Sequence, residues 1–170
     1  MIRVSAIAAI VVGLLRATTA FIPETTPKVY VLYFVIDVLL LIGVIGLHWS
    51  SVAGGKIGGR LGFALMCIAL LVLIARDIGA VPSSAYAGAA AAFSLGLDVF
   101  AIQSLRTGKI SSWIPISWIL STIIGPVGFF VPGLQFLFAV AGLLFGVAFT
   151  SAGVVMLLDS IRRTKAKRQL

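Results

Sequence analysis

Six apolar segments, each about as long as a membrane is thick, constrain the fold of this chain more than any other feature. A helix needs about 20 residues to cross a hydrocarbon core about 30 Å thick, because each residue adds about 1.5 Å. The segments occupy residues 4–22, 29–47, 61–81, 85–105, 113–131 and 134–158. Backbone groups in lipid have no water to bond, and the sequence lacks strands of alternating polarity. It therefore predicts an all-α, polytopic membrane protein, a bundle of six transmembrane helices.

The composition agrees with this fold class and excludes several others. Hydrophobic residues make up 61% of the chain and charged residues 11%, and the mean hydropathy is +1.18. A soluble domain of that composition would lack a polar surface. The single cysteine, Cys67, excludes a disulfide scaffold, and the single histidine, His48, excludes a histidine-rich metal site. We predict one membrane domain over residues 1–161, a basic tail over 162–170, no metal and no cofactor.

Positive charges outside these segments fall almost entirely on one side of the predicted bundle. With six spans, one side receives ten basic residues, namely Arg3, Lys56, Arg60, Arg106, Lys109, Arg162, Arg163, Lys165, Lys167 and Arg168. The other side receives Lys28 alone. The positive-inside rule then places both termini in the cytoplasm, as in a multi-pass protein of the cell membrane.

The net charge of +8 follows from this topology, so nucleic acid is not an expected partner. Five of the last nine residues are basic. Each basic residue near the surface attracts an anionic leaflet by about 1 kcal/mol. We therefore expect membrane lipids with anionic head groups as partners of the tail, whose main role is to fix the topology.

Two features near the predicted cytoplasmic side carry no functional signal. The glycine-rich run of residues 54–60 matches neither a Walker A loop nor the GxGxxG fingerprint, and we interpret it as a flexible linker. Trp113 and Trp118 lie near the predicted inner end of the fifth segment. We interpret both as residues of the membrane-interface belt.

Five ionisable side chains lie inside the apolar segments: Arg16, Asp37, Arg76, Asp77 and Asp98. An unpaired charge at the bilayer centre costs about 2.5–3.5 kcal/mol, so these groups must be paired, hydrated or neutralised. The first four, two positive and two negative, lie near the predicted outer ends of their segments. The sequence therefore predicts a compensating polar network in the outer half of the bundle.

Two tyrosines extend this network along the second segment. Tyr30, Tyr33 and Asp37 are separated by three and four residues, which puts them on one helix face. The direction of helical side chains leans Asp37 toward Tyr33. Two interpretations of the network stay open, since structural networks and functional sites share these features. It is either a structural network of polar contacts that holds the first three helices together, or a solute or proton site that opens outward.

Asp98 is isolated in the inner half of the fourth segment, with Ser94 one turn before it. Three interpretations are open for such a carboxyl group. It is protonated, it reaches His48 or Arg106 through water, or it forms a proton or cation site on an inward path.

Small residues recur every four positions on two segments, and such stripes let helices approach closely in lipid. They are Gly88, Ala92 and Gly96 on the fourth segment, and Gly142, Gly146 and Thr150 on the sixth. These contact faces meet either a helix of the same chain or a second protein. A membrane protein partner or a homo-oligomer therefore stays open.

The sequence carries no catalytic motif, because its aspartates are isolated and it has one cysteine, so we do not expect an enzyme. Our leading hypothesis is the binding or transport of a small solute or ion through the buried polar site. The alternative is a non-catalytic accessory or assembly subunit of a larger membrane complex. In size and six-span layout the chain resembles the substrate-binding subunits of some vitamin importers, a resemblance of architecture that would imply solute binding.

Overall fold

The chain folds into six α-helices in the computed structural model, which describes residues 1–19 and 29–166. The helices are α1 (Ile2–Thr19), α2 (Val29–Trp49), α3 (Ile57–Asp77), α4 (Ala85–Thr107), α5 (Trp113–Phe130) and α6 (Phe136–Ala166). All six are long and apolar enough to cross a membrane. The predicted all-helical class and the number of candidate spans are confirmed.

The helices pack in a closed ring, in which each contacts the helices before and after it and α6 returns to α1. The short connections make successive helices antiparallel. The guanidinium of Arg3 on α1 donates a 3.0 Å hydrogen bond to the hydroxyl of Thr164 on α6. The first and last helices therefore meet at one end of the bundle. We call this the terminal end, and we call the opposite end the distal end.

Glycines close the ring between α1 and α6. A Cβ atom on Gly146 would lie 2.8 Å from the backbone nitrogen of Ala17, and one on Gly153 would lie 2.7 Å from the carbonyl oxygen of Ala6. The two backbones are thus in direct contact, which is how helices associate where lipid gives no hydrophobic drive. At Gly146, the predicted contact face of α6 is occupied by α1 of the same chain.

A second glycine contact joins α3 to α4. A Cβ atom on Gly62 would lie 2.7 Å from the carbonyl oxygen of Gly96, and one on Gly96 would lie 2.9 Å from that of Gly62. Gly88, at the other end of the predicted stripe on α4, has no described atom within 4 Å of such a position. The predicted contact face of α4 is therefore occupied at Gly96 and open at Gly88.

Aromatic side chains fill the space between α4, α5 and α6. Their ring centroids follow one another at 6.1, 4.6, 5.2 and 6.5 Å along the row Phe93, Phe145, Phe149, Trp118 and Phe100. Trp118 is fully buried in this row. Its predicted place in the interface belt is wrong, because the side chain faces α4 and α6 rather than the surface. Trp113, in contrast, is exposed.

The third helix begins earlier than the sequence predicts. It starts at Ile57, inside the glycine-rich run that we interpreted as a linker. A Cβ atom on Gly58 would lie 2.6 Å from the side-chain nitrogen of Gln103 on α4, and one on Gly59 would lie 3.0 Å from the carbonyl oxygen of Ala53. These glycines serve close packing of the first turn of α3 rather than flexibility.

The ends of the sixth helix and of the first predicted span also differ from expectation. The sixth helix continues to Ala166, so the first residues of the predicted tail, including Arg162 and Arg163, prolong it. The predicted end of the first span at residue 22, the lone outer charge Lys28 and residues 167–170 of the tail lie outside the described residues.

Candidate functional site

The distal end of α3 places two ionisable residues at a helix terminus. The helix stops at Asp77 because Gly79 adopts a left-handed backbone conformation, with φ 76°. The backbone N–H of Gly79 bonds the carbonyl of Arg76 at 2.9 Å, and that of Ala80 bonds the carbonyl of Ala75 at 2.7 Å. This is the Schellman pattern, in which a glycine after the helix satisfies the last carbonyls. Arg76 and Asp77 thus occupy the last turn, where the helix dipole favours the cation.

Arg76 and Asp77 form an ion pair, in which a guanidinium N–H of Arg76 donates to Oδ1 of Asp77. Adjacent residues on a helix do not face each other, so the length of the arginine side chain makes this contact. The carboxylate of Asp77 is fully buried, whereas the side chain of Arg76 is 20% exposed. Oδ2 of Asp77 has no hydrogen-bond partner within residues 1–19 and 29–166. A buried acceptor without a donor costs about 1–3 kcal/mol, and more when it is charged.

Two further predicted residues share the electrostatic environment of this pair. Asp37 on α2 is half-buried and interacts electrostatically with Asp77, Arg16 and Arg76. The guanidinium carbon of Arg16 lies 5.9 Å from the centre of the Tyr33 ring, within the range of a cation–π contact. The structure thus brings together charged residues of α1, α2 and α3. The side chain of Tyr30 lies outside the described part of the chain.

Tyr86 on α4 was missed by the sequence analysis. Its ring centre lies 4.8 Å from the guanidinium carbon of Arg76. Arg76 lies in the last turn of α3, two residues before the connection of residues 78–84, and Tyr86 follows the same connection by two residues. Positions equidistant from the turn of a helical hairpin lie at the same depth, and that signal would have found Tyr86. We call Arg16, Tyr33, Asp37, Arg76, Asp77 and Tyr86 the distal cluster.

An open cavity of about 320 Å³ adjoins the distal cluster. Its walls are formed by Arg76, Asp77, Gly79, Val81 and Ser83. Arginine carries five N–H donors, and the described residues bond one of its nitrogens, at Asp77. The cavity therefore presents the guanidinium of Arg76, which is paired with the buried carboxylate of Asp77 and has further N–H donors. Arg76 can donate to an acceptor on a bound solute. Where the guanidinium moves aside, Asp77 can accept from a donor on the same solute.

Asp98 lies apart from this cluster, near the middle of α4. Its Oδ1 lies 2.7 Å from the hydroxyl oxygen of Thr122 on α5, whose one proton is shared between this carboxyl group and the carbonyl oxygen of Ile119, also at 2.7 Å. His48, one of the two residues that we considered as a water-mediated partner of Asp98, stacks on Phe63, with ring centroids 4.0 Å apart. Asp98 and Thr122 are each ten residues from the connection of residues 108–112, so hairpin symmetry again supplied a signal that we did not use.

Comparison with known proteins does not add to this geometry. No protein-family model, curated protein or solved structure matches the chain. The resemblance to vitamin-importer subunits therefore remains one of length and number of spans. Within the described ranges, no group of three or more His, Cys, Asp or Glu side chains could hold a metal ion.

Proposed function

We propose that this protein is a multi-pass protein of the cell membrane, with cytoplasmic termini, that binds a small polar solute at the distal cluster. The observation that carries the proposal is the buried oxygen of Asp77, which lacks a partner among the described residues, beside a cavity lined by Arg76. Six candidate spans support the membrane location. The excess of positive charge at the terminal end supports the orientation.

The charges of the cluster indicate the chemistry of the solute. The formal charges of Arg16 and Arg76 equal those of Asp37 and Asp77 with the opposite sign, so a solute with a net charge would add a charge that the cluster does not compensate. A solute that carries both an acceptor and a donor leaves the balance intact. Its acceptor takes free donors of Arg76, and its donor binds the carboxylate that Arg76 uncovers when the guanidinium turns toward the solute.

The packing of the bundle favours binding over an open pore. The aromatic row from Phe93 to Phe100 fills the space between α4, α5 and α6. Transport of the solute would therefore require the helices to move between two arrangements. Binding of the solute at the distal end, in contrast, requires only one arrangement of the helices.

Thermal unfolding in detergent tests the proposal against a panel of small zwitterions, amines and carboxylic acids. A ligand at 100 times its Kd stabilises the folded state by about 2.7 kcal/mol. We expect one class of the panel, the zwitterions, to raise the melting temperature of the wild type. Asp77→Asn and Asp37→Asn should lose the shift, whereas Asp98→Asn, which removes an intramembrane carboxyl group elsewhere, should keep it. If no probe shifts the melting temperature and Asp37→Asn unfolds the protein, the result would favour a structural role for the network.

An accessory or assembly subunit is the second candidate function. It is favoured by the outward face of α4, where Gly88 and Ala91 are small and exposed. Small residues at such a face allow a partner helix to approach closely. Co-purification of a defined membrane partner that is lost in Gly88→Leu, while zwitterions have no effect on the wild type, would support this candidate.

A further inference from the structure

A second cavity, of about 240 Å³, lies at the terminal end of the bundle, away from the distal cluster. Its walls come from the start of α1, the connection after α2, the connection between α4 and α5, and the last turns of α6. Cavities for drug-sized ligands measure about 300–1,000 Å³, so this one suits a smaller group. It opens on the side that carries most of the basic residues.

The cavity has an apolar floor and a charged rim. Val52, Ile110 and Met156 are buried at its floor. Lys109, Asp159 and Arg163 are exposed at its rim. A ligand that fits both parts places an apolar portion toward the floor and charged groups toward the rim.

Among the described residues, the charged groups at the rim form no ion pair with one another. Asp159 and Arg163 are four residues apart on α6, a spacing at which aspartate and arginine usually pair. Yet among the described side chains the only ion pair joins Arg76 and Asp77 at the distal end. Two cations and one carboxylate thus line the same small space without contact among themselves.

Two serine hydroxyls complete the rim as acceptors. Ser50 donates to the carbonyl of Leu47, and Ser160 donates to the carbonyl of Leu157, each at 2.8 Å. Because each hydroxyl has spent its one proton, its oxygen is left to accept. The cavity wall therefore carries both cations and hydrogen-bond acceptors.

We propose that the terminal cavity binds a phosphate ester that carries a primary ammonium group, the chemistry of an ethanolamine phosphate. Lys109 and Arg163 hold the phosphate by charge-assisted hydrogen bonds. Asp159, with the oxygens of Ser50 and Ser160, accepts from the ammonium group. A phospholipid headgroup and a soluble amino-alkyl phosphate share this chemistry, and the site does not depend on the function proposed for the distal cluster.

Native mass spectrometry of the full-length, delipidated protein tests the proposal with three short-chain lipids. These are phosphatidylethanolamine, phosphatidylcholine, whose quaternary ammonium has no N–H donor, and phosphatidylglycerol, which has no ammonium group. We expect the wild type to prefer phosphatidylethanolamine about tenfold over the other two, the effect of one charge-assisted hydrogen bond. Equal affinity for the three lipids would overturn the proposal.

Variants separate the two halves of the site. Asp159→Asn should lower the affinity for phosphatidylethanolamine to that for phosphatidylglycerol. Arg163→Gln and Lys109→Gln should lower the affinity for all three lipids. Arg162→Gln is the matched control, because Arg162 is exposed on the same turn of α6 but does not line the cavity. An equal effect of Arg162→Gln and Arg163→Gln would overturn the proposal by indicating unspecific attraction.

Competition identifies the source of the ligand. Free phosphoethanolamine that displaces the lipid from the wild type, but has no effect on the melting temperature of Asp159→Asn, would assign a soluble ligand to the site. Retention of phosphatidylethanolamine against an excess of free phosphoethanolamine would assign the lipid. Displacement of all three lipids by inorganic phosphate alone would contradict a role for the ammonium group and overturn the proposal.

Discussion

Gly13 of α1 and Gly146 of α6 face each other with no room for a side chain on either, since a Cβ atom on one would overlap the carbonyl oxygen of the other. The atoms in the way are backbone, which cannot turn aside as a flexible side chain can. This pair therefore sets the distance between the first and last helices and, through them, the closure of the ring.

Gly146→Ala should destabilise the protein because its methyl group forces α1 and α6 apart. Overpacking of this kind costs about 1–3 kcal/mol. Thermal unfolding in detergent, followed by size-exclusion chromatography, measures the loss. Gly88→Ala is the control, since its methyl group enters open space on a helix. It should leave stability unchanged or raise it by about 0.5–1 kcal/mol. Equal destabilisation by the two variants would contradict the close packing of α1 on α6.

The hydrogen bond between Thr122 and Asp98 should stabilise the contact of α4 with α5. Bonds of this kind within membranes contribute about 0.6 kcal/mol on average and about 1.7 kcal/mol at most. A double-mutant cycle with Thr122→Val and Asp98→Ala measures the coupling from the unfolding free energies. Thr18→Val combined with Asp98→Ala serves as the control, because Thr18 bonds a carbonyl of its own helix. Purely additive effects in the first cycle would show that the two side chains do not interact.

Trp118 should tolerate replacement by phenylalanine better than its complete burial suggests. Its indole nitrogen has no hydrogen-bond partner in the described structure, so Trp118→Phe removes no bond and keeps an aromatic ring against Phe149. Trp118→Ala empties the site and should cost about 3–5 kcal/mol. Melting temperatures of the two variants in one detergent compare them. A loss in Trp118→Phe as large as in Trp118→Ala would indicate a partner for the indole nitrogen.

Cysteine labelling should place the terminal end of the bundle in the cytoplasm. In a Cys67→Ala background, Ser83→Cys lies in the distal connection after α3, and Ser111→Cys lies in the terminal connection before α5. The positive-inside rule predicts that an impermeant thiol reagent labels Ser83→Cys in intact cells and Ser111→Cys after permeabilisation. The reverse pattern would contradict the orientation.

The sequence predicted the number and the approximate positions of the helices, because hydropathy over about 20 residues is a property of the chain alone. It did not predict the start of α3, since Gly58 and Gly59 resemble a linker until Gln103 of α4 and Ala53 of the preceding connection lie beside them. Nor did it predict the burial of Trp118, because a tryptophan near a helix end suits either an interface or a core. Both errors concern which neighbour a residue has rather than what the residue is.

The distal cluster shows the same division. Its charged members could be chosen from the sequence, because a charge inside an apolar segment requires compensation. Tyr86 of the cluster, and Thr122, which contacts Asp98 outside it, could not be chosen in this way, since neither side chain carries a charge that requires compensation. Only the antiparallel pairing of α3 with α4 and of α4 with α5 distinguishes these two from others of their kind.

Closure of the ring by its first and last helices has a consequence for synthesis. The face of α1 that carries Ala6 and Gly13 meets α6, which is synthesised only after α2 to α5. Until α6 is present, that face is uncovered, so a chain truncated after α5 exposes the small residues that α6 otherwise contacts. Closure of the ring therefore waits for α6, and loss of α6 leaves a face of α1 without its contact.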